Sequence, residues 1–205
     1  MFRCLFSNNN RHYEKIGSEI KDITEEIPFE IPNSWCWCRL GSVCQLINGD
    51  RGKNYPSKDK LMDKGDIPFI SAINISENTI SLEKLLYLRQ EQYEKLGSGK
   101  LQKNDVVVCI RGSLGKVCLY PFDKGAIASS LVILRTYTAI SERFLISYIN
   151  SALFASEMKR YDNGTAQPNL AANDLYKFLI PLPSFEEQKR IVKKLENIMK
   201  VIKTL

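Results

Sequence analysis

Histidine is nearly absent from this chain of 205 residues: the only one, His12, stands in a polar N-terminal stretch. Triad catalysis of the Ser/His/Asp or Cys/His kind needs a base held in an ordered site, so it is not expected here. Long apolar runs are missing too. Nothing approaches the ~18–20 residues of a membrane span, and the patch Met1 to Phe6 is too brief for a signal-peptide core, so the chain reads as cytoplasmic. The six cysteines contain no C-x₂-C pair. Cys36-Trp37-Cys38, Cys44, Cys109 and Cys118 read as thiols, mostly buried, and no metal is expected. No G-x-x-x-x-G-K-[S/T] occurs. Gly97-Ser98-Gly99 follows a charged helical stretch and lacks a third glycine, so no phosphate cradle and no cofactor is expected. Asp174 with Glu187-Gln188-Lys189 imitates the acidic pattern of a metal-dependent nuclease, but Glu187 falls in the first turn of a helix, where it serves as a cap. Nothing in the chain looks able to make or break a covalent bond, and the expectation is a protein that is not an enzyme.

What is present is ordinary for a globular domain: 44% hydrophobic and 25% charged residues. The net charge of +6 is uneven. Residues 1–30 hold four bases and six acids, a balance of −2, which leaves +8 on the remaining 175 residues. A positive body of this kind attracts polyanions, nucleic acid above all, although the same charge would also serve solubility alone.

Residues 1–34 read as an extended lead-in. Ser7 to His12 has no periodicity, and the prolines of Ile27-Pro28-Phe29-Glu30-Ile31-Pro32 push their predecessors out of the helical region. From Trp35 the signals are short strands and turns: Val43–Ile47, Ile67–Ile70, Ile80–Leu82, Asp105–Ile110, Val117–Tyr120 and Leu131–Leu134, with a helical interruption over Leu88–Leu96. Residues 141–160 carry apolar positions at helical spacing with Ser141 as cap. A polar loop over 162–169 precedes an extended segment, Phe178 to Pro183. Ser184-Phe185-Glu186-Glu187 is a capping box that opens a last helix. Its Ile191, Leu195, Ile198, Ile202 and Leu205 are spaced 4, 3, 4, 3, the seam of a heptad pattern suited to pairing with another helix. The fold class expected is α/β (α+β): a mixed sheet of short strands with flanking helices, then a long coiled-coil-type C-terminal helix.

Binding chemistry is concentrated in loops. Arg51, Lys53, Asn54, Tyr55 and Lys58 lie in the first, Ser71 and Asn74 after the second strand, Arg111, Ser113 and Lys116 in a glycine turn, and Thr165, Gln167 and Asn169 near the end. Arg and Lys can meet phosphates or guanine edges, Asn and Gln can pair with adenine edges, and Ser and Thr serve both. Polar loops hold such residues in any protein, so each alone also fits a plain surface loop.

Two motifs are recognisable. Residues 27–40, Ile27-Pro28-Phe29-Glu30-Ile31-Pro32-Asn33-Ser34-Trp35-Cys36-Trp37-Cys38-Arg39-Leu40, resemble the P-x-x-(I/L)-P-x-x-W-x-W-x-x-L start of a target recognition domain in the DNA specificity subunit of type I restriction–modification systems. Gly164-Thr165-Ala166-Gln167-Pro168-Asn169-Leu170, with Ile180-Pro181-Leu182-Pro183-Ser184-Phe185-Glu186-Glu187-Gln188-Lys189-Arg190-Ile191-Val192, is similar to that family's closing motif. The resemblance implies a non-catalytic reader of one half of a bipartite duplex DNA site, partnered by adenine methyltransferase subunits and, through the complex, by restriction/translocase subunits. It implies a target recognition domain over 35–180 and the start of a spacer helix over 181–205. A full specificity subunit has two such domains, whereas this chain shows one and no internal repeat, so it reads as a half subunit or fragment, and homodimerisation through the C-terminal helix would yield a symmetric site. The alternatives are the recognition module of a fused methyltransferase–nuclease of another class, and a half subunit acting only by helix-mediated protein interaction.

Overall fold

The computed structural model describes residues 3–8, 11–161 and 170–204. Its first strands, β1 (Arg3–Asn8), β2 (Arg11–Ile16) and β3 (Glu19–Asp22), form a three-stranded antiparallel sheet. This corrects the reading of residues 1–34 as an extended lead-in that stands before the compact part of the chain. The polar composition hid the strands because they are short and mostly exposed. Glu14 on β2 and Ile23 just after β3 are buried, and the rings of exposed Phe6 and half-buried Tyr13 stack at 5.5 Å. Gly17, at a φ of 63°, supplies the left-handed turn between β2 and β3.

After an irregular stretch through the two prolines come β4 (Cys36–Arg39), a single helical turn α1 (Leu40–Val43) and β5 (Cys44–Asn48). A long loop leads to β6 (Ile67–Ile70), the small hairpin β7 (Ile75–Ser76) and β8 (Thr79–Ile80), then β9 (Leu86–Leu88), α2 (Gln90–Lys95) and β10 (Lys100–Leu101). The chain continues through β11 (Val106–Cys109), β12 (Val117–Leu119), β13 (Gly125–Ile127) and β14 (Leu131–Thr136). Helices α3 (Glu142–Ile149), α4 (Ala152–Tyr161) and α5 (Ala172–Leu175), strand β15 (Leu179–Leu182) and helix α6 (Phe185–Lys203) follow.

Two four-stranded sheets carry the body, ordered β12-β11-β14-β5 and β10-β13-β6-β9. The first is antiparallel; in the second β13 runs parallel to β6. Strand β11 is buried along its whole length because it is covered on both faces. Alternate side chains point to opposite sides of a strand. Val106 and Val108 therefore join Phe144, Leu145, Phe154 and Phe178 in one cluster, while Val107 and Cys109 join Ile70, Ile127 and Tyr120 in another. The result is three layers: helices, first sheet, second sheet. Burying both faces explains why this run reads as a continuous apolar block.

Two helical expectations are refined. The single helix predicted over 141–160 is two, because the Ser151 hydroxyl accepts from the Phe154 amide at 3.3 Å and caps a new start, while Asn150 turns aside to donate to Asn78 Oδ1 at 3.0 Å. At α6, Ser184 Oγ accepts from the Glu187 amide at 3.4 Å as expected, but the Glu187 carboxylate is taken by Arg190 rather than reaching back to the cap. The root of α6 is fixed instead by Gln188. That fully buried amide accepts from the Ser141 N–H at 2.9 Å and donates to the carbonyls of Ala139 and Pro183 at 2.9 and 3.1 Å.

Strand β4 pairs antiparallel with β15, from Cys36 opposite Leu182 to Arg39 opposite Leu179. Arg39 then fastens the N-terminal sheet to this ladder. Its buried guanidinium donates to both Glu14 oxygens at 3.3 and 3.0 Å, to Glu26 at 2.8 Å and to the Lys177 carbonyl at 2.8 Å. Burial raises the Glu26 pKa, but hydrogen bonds and charge from Lys21 and Arg39 outweigh it and hold the group below its ordinary value of 4.5. A depressed carboxylate stabilises the fold above its unfolded pKa. That contribution is therefore complete above pH 4.5 and is lost as the pH falls through the lower folded value. Arg39→Ala takes the shared guanidinium from Glu14 and Glu26, leaving Glu26 only Lys21, and is expected to cost about 3–5 kcal/mol in urea unfolding, since one partner of a buried pair is removed; a loss below about 1 kcal/mol would show that the anchor is not needed.

Candidate nucleic-acid interface

The strand registers decide where the loops emerge. The C-terminal end of β5 lies beside the start of β14, with Asn48 opposite Val132, and the end of β11 lies there too, with Cys109 opposite Leu131. In the second sheet Ile70, at the end of β6, is beside Ile127, at the end of β13. The start of β9 and the start of β10 sit at the same pole. The short link Ala128 to Ser130 joins the two sheets here, with the Ala128 amide donating to Ile70 at 2.7 Å and the Ile110 amide to Ser130 at 2.9 Å. One pole of the body thus gathers the loops starting at residues 49, 71, 81, 97, 110 and 128.

Asp50 organises this pole. It is 8% exposed, and its carboxylate accepts from the Gly52 amide at 2.6 Å and the Gly97 amide at 2.7 Å. Ser98 Oγ donates to the Asn48 carbonyl at 2.7 Å. Gly99, at a φ of 76°, passes so close to Gly49 that a Cβ there would stand 2.9 Å from the Gly49 Cα. The lone G-x-G is therefore a close crossing of two backbones. Backbone donors at Gly52 and Gly97 hold the Asp50 pKa below its ordinary value of 3.8.

Arg51 lies beside this clamp, where its Nη2 donates to the Ser129 carbonyl at 3.2 Å. Lys53 is exposed on the same loop, and Arg111, Ser113 and Lys116 are exposed on the turn between β11 and β12. Gly112 and Gly115, at φ 74° and 78°, give that turn its shape. Ser71 follows β6 at the same pole. Among the described residues, neither Lys53 nor Lys116 makes an ion pair, and the same holds for Lys84, an exposed base on the loop before β9. Lys84, Ser98, Ser129 and Ser130 were not singled out from sequence; the Gly-Ser-Gly and Ser-Ser runs were the available signal, since small residues mark close loop crossings.

Other expected residues serve the fold. Asn74 is 1% exposed; its Oδ1 accepts from the Ser71 amide and hydroxyl, both at 3.0 Å, so it cannot reach a ligand from this position and is withdrawn as a base contact. Asn54 donates to the Lys95 carbonyl at 2.7 Å, and the Tyr55 ring meets Phe69 edge-on at 6.1 Å, both tying the long loop to the α2 side of the second sheet. Lys58 is exposed on a separate turn of that loop. Thr165, Gln167 and Asn169 lie outside the described residues, but the Leu170 amide donates to Ile110 at 3.0 Å, so the chain resumes beside the Arg111 turn.

The opposite pole carries α6. Its first turns meet α3 near Ser141, and Arg143 pairs with Glu196 at 2.7 Å. Ile191 is half-buried and Val192 buried, while Leu195, Ile198, Met199, Val201 and Ile202 are 43–61% exposed. Leu205 lies outside the described residues. Among the described residues, no three His, Cys, Asp or Glu side chains cluster as metal ligands. Asp174 pairs with Lys177, Glu187 with Arg190 and Lys189 with Glu186, which dissolves the nuclease-like pattern into local ion pairs. Burial pushes the Cys38 and Cys118 thiols up to about 12, so they stay protonated. No helix is long and apolar enough to cross a membrane among the described residues.

Comparison with known proteins gives one family. The type I restriction modification DNA specificity domain matches residues 32–205. The specificity subunit of the EcoAI type I restriction enzyme of Escherichia coli is 24% identical over 190 residues, covering 88% of this chain and 31% of that protein. That of EcoBI, also from Escherichia coli, is 26% identical over 193 residues, covering 90% and 40%. The chain therefore spans between about a third and two-fifths of these relatives' length. The crystal structure of the HsdS subunit from Thermoanaerobacter tengcongensis shares the fold, with a TM-score of 0.66 at 22% identity over 86% of this chain and 40% of that one.

The clamp at Asp50 is directly testable. Asp50→Ala should speed amide hydrogen exchange at Gly52 and Gly97 and lower stability by about 1 kcal/mol, the net worth of a hydrogen bond or two. In the unaltered chain both amides should stay protected at pH 3.8 and lose protection only at lower pH, as the depressed carboxyl takes its proton. Unchanged exchange in the variant would mean that the crossing of Gly49 and Gly99 holds the loops without it.

Proposed function

The chain belongs to the type I restriction modification DNA specificity family, and from that premise we propose that it is the non-catalytic reader of one half of a bipartite duplex DNA site, acting in the cytoplasm. The observation that carries this reading is the gathering of Arg51, Lys53, Lys84, Arg111 and Lys116 at one pole, on loops held by main-chain clamps. Bases placed on rigid loops can neutralise phosphates and set the register of the domain on a duplex, while Ser71 and Ser113 supply groups able to reach base edges. Thr165, Gln167 and Asn169 are proposed as further contacts on the chemistry of their side chains. Residues 35–180 form the target recognition domain in this reading.

The far pole then faces the partners. Helix α6 starts the spacer, with Gln188 fixing its direction relative to the reading loops. Its outward Leu195, Ile198 and Ile202, continuing from Ile191 toward Leu205, offer a seam to a second long helix, in a homodimer or in a longer subunit. An adenine methyltransferase subunit docks on the assembled unit and brings the restriction/translocase subunit with it.

Titration with a random-sequence duplex at several salt concentrations tests DNA binding. The Lys53→Ala, Arg111→Ala, Lys116→Ala triple variant should bind more weakly and should flatten the plot of log affinity against log salt by up to ~0.9 for each phosphate that is no longer neutralised. Indifference to the triple change would leave a protein that works only through its helix. For the seam, Leu195→Asp with Ile198→Asp should leave the single chain folded by circular dichroism, as both side chains are exposed in it, and should abolish self-association in sedimentation equilibrium together with any concentration dependence of the thermal midpoint. Dimers that survive both changes would place the interface elsewhere.

A further inference from the structure

Among the described large hydrophobic side chains the most exposed is Ile73, at 70%. It stands in the turn Ala72–Asn74 that follows β6 at the loop-bearing pole. A single exposed aliphatic is unremarkable on a mobile loop, but this turn is held by four hydrogen bonds through Asn74, whose buried Nδ2 alone has no partner among the described residues. Asn74 Oδ1 accepts from both the amide and the hydroxyl of Ser71, the Asn74 amide donates to the Ser71 carbonyl at 3.0 Å, and the Asn74 carbonyl accepts from Ser81 at 2.7 Å. The hairpin that follows is pinned in turn, with the Leu119 amide donating to the Asn78 carbonyl at 3.2 Å. A buried asparagine is thus spent on displaying a rigid isoleucine on a polar, basic surface. Folding gains nothing from that display.

We propose that Ile73 is a specificity-determining residue that reads the 5-methyl group of a thymine in the major groove. The inference rests on the DNA-reading role proposed above. Base edges in that groove present donors and acceptors, and the thymine methyl is their one apolar feature. Most side chains at this pole, among them Arg51, Lys53, Ser71, Arg111, Ser113 and Lys116, are polar; Leu82 is a second exposed aliphatic on these loops, at 64%, but Ile73 is the one displayed by the turn that the buried Asn74 clamps, and it can favour thymine through apolar contact. Since the turn is already ordered, little conformational freedom is lost when it docks.

The test begins by selecting the preferred duplex of the purified full-length chain from a library with a randomised centre. Each thymine of the selected duplex is then replaced in turn by uracil, which removes only the methyl group. The unaltered chain should lose about fourfold in affinity at one position, the worth of one buried methyl group. Ile73→Ala should bind the thymine duplex as weakly as the unaltered chain binds that uracil duplex, and should ignore the replacement; Ile73→Val should keep the sensitivity. The salt slope and thermal midpoint should not change, because Ile73 is neither charged nor buried. A selected duplex with no methyl-sensitive thymine, or an Ile73→Ala chain as methyl-sensitive as the original, overturns the inference while leaving DNA reading intact. Failure of the unaltered chain to select any sequence sinks both.

Discussion

A buried guanidinium ties three separate parts of this chain together. Arg39 lies on β4, reaches Glu14 and Glu26 in the N-terminal segment, and donates to the Lys177 carbonyl just before β15. A cation taken out of water is stable only when its donors are met, and these partners lie at separations of 13, 25 and 138 residues. The N-terminal sheet is consequently part of the body. The acidic balance of its segment, which looked like a detail of composition, supplies the counter-charge.

The same ladder explains why the two recognisable motifs sit so far apart in sequence. The opening motif runs through β4 and the second block of the closing motif starts in β15, and the two strands pair residue by residue. Their pairing closes the domain and sends α6 away at a direction set by the buried Gln188 amide. The loops between the motifs leave from the other pole. The proposed reading surface and the proposed pairing helix therefore lie at opposite poles and do not compete for the same space.

Legibility varied with the range of the interactions involved. The block Val106 to Cys109 was readable as a strand because β-branched residues covered on both faces leave a continuous apolar signature. Ser141 and Ser184 were readable as caps because a cap is satisfied within three residues. The break at Ser151 was hidden by the unbroken apolar spacing of 144–153, and the strands before Trp35 were hidden by their polar, exposed composition. Within the interface, residue type alone could not separate Arg51 and Lys116, left exposed, from Asn74 and Tyr55, drawn into the fold. All are plausible binding residues in a loop; only packing assigns them.

The amino-acid sequence by itself determined the family, the central strand and the apolar seam of the last helix, because each of these rests on residue identity or on spacing within a few turns of chain. Tertiary structure decided which loops share a pole, that Asp50 and not a glycine motif organises them, that Asn74 holds a turn while Ile73 is displayed by it, and that Arg39 binds the first sheet to the body. Those outcomes depend on strand register and on partners tens of residues away, where a buried charge or amide must find its hydrogen bonds, and no local pattern encodes which partner it finds.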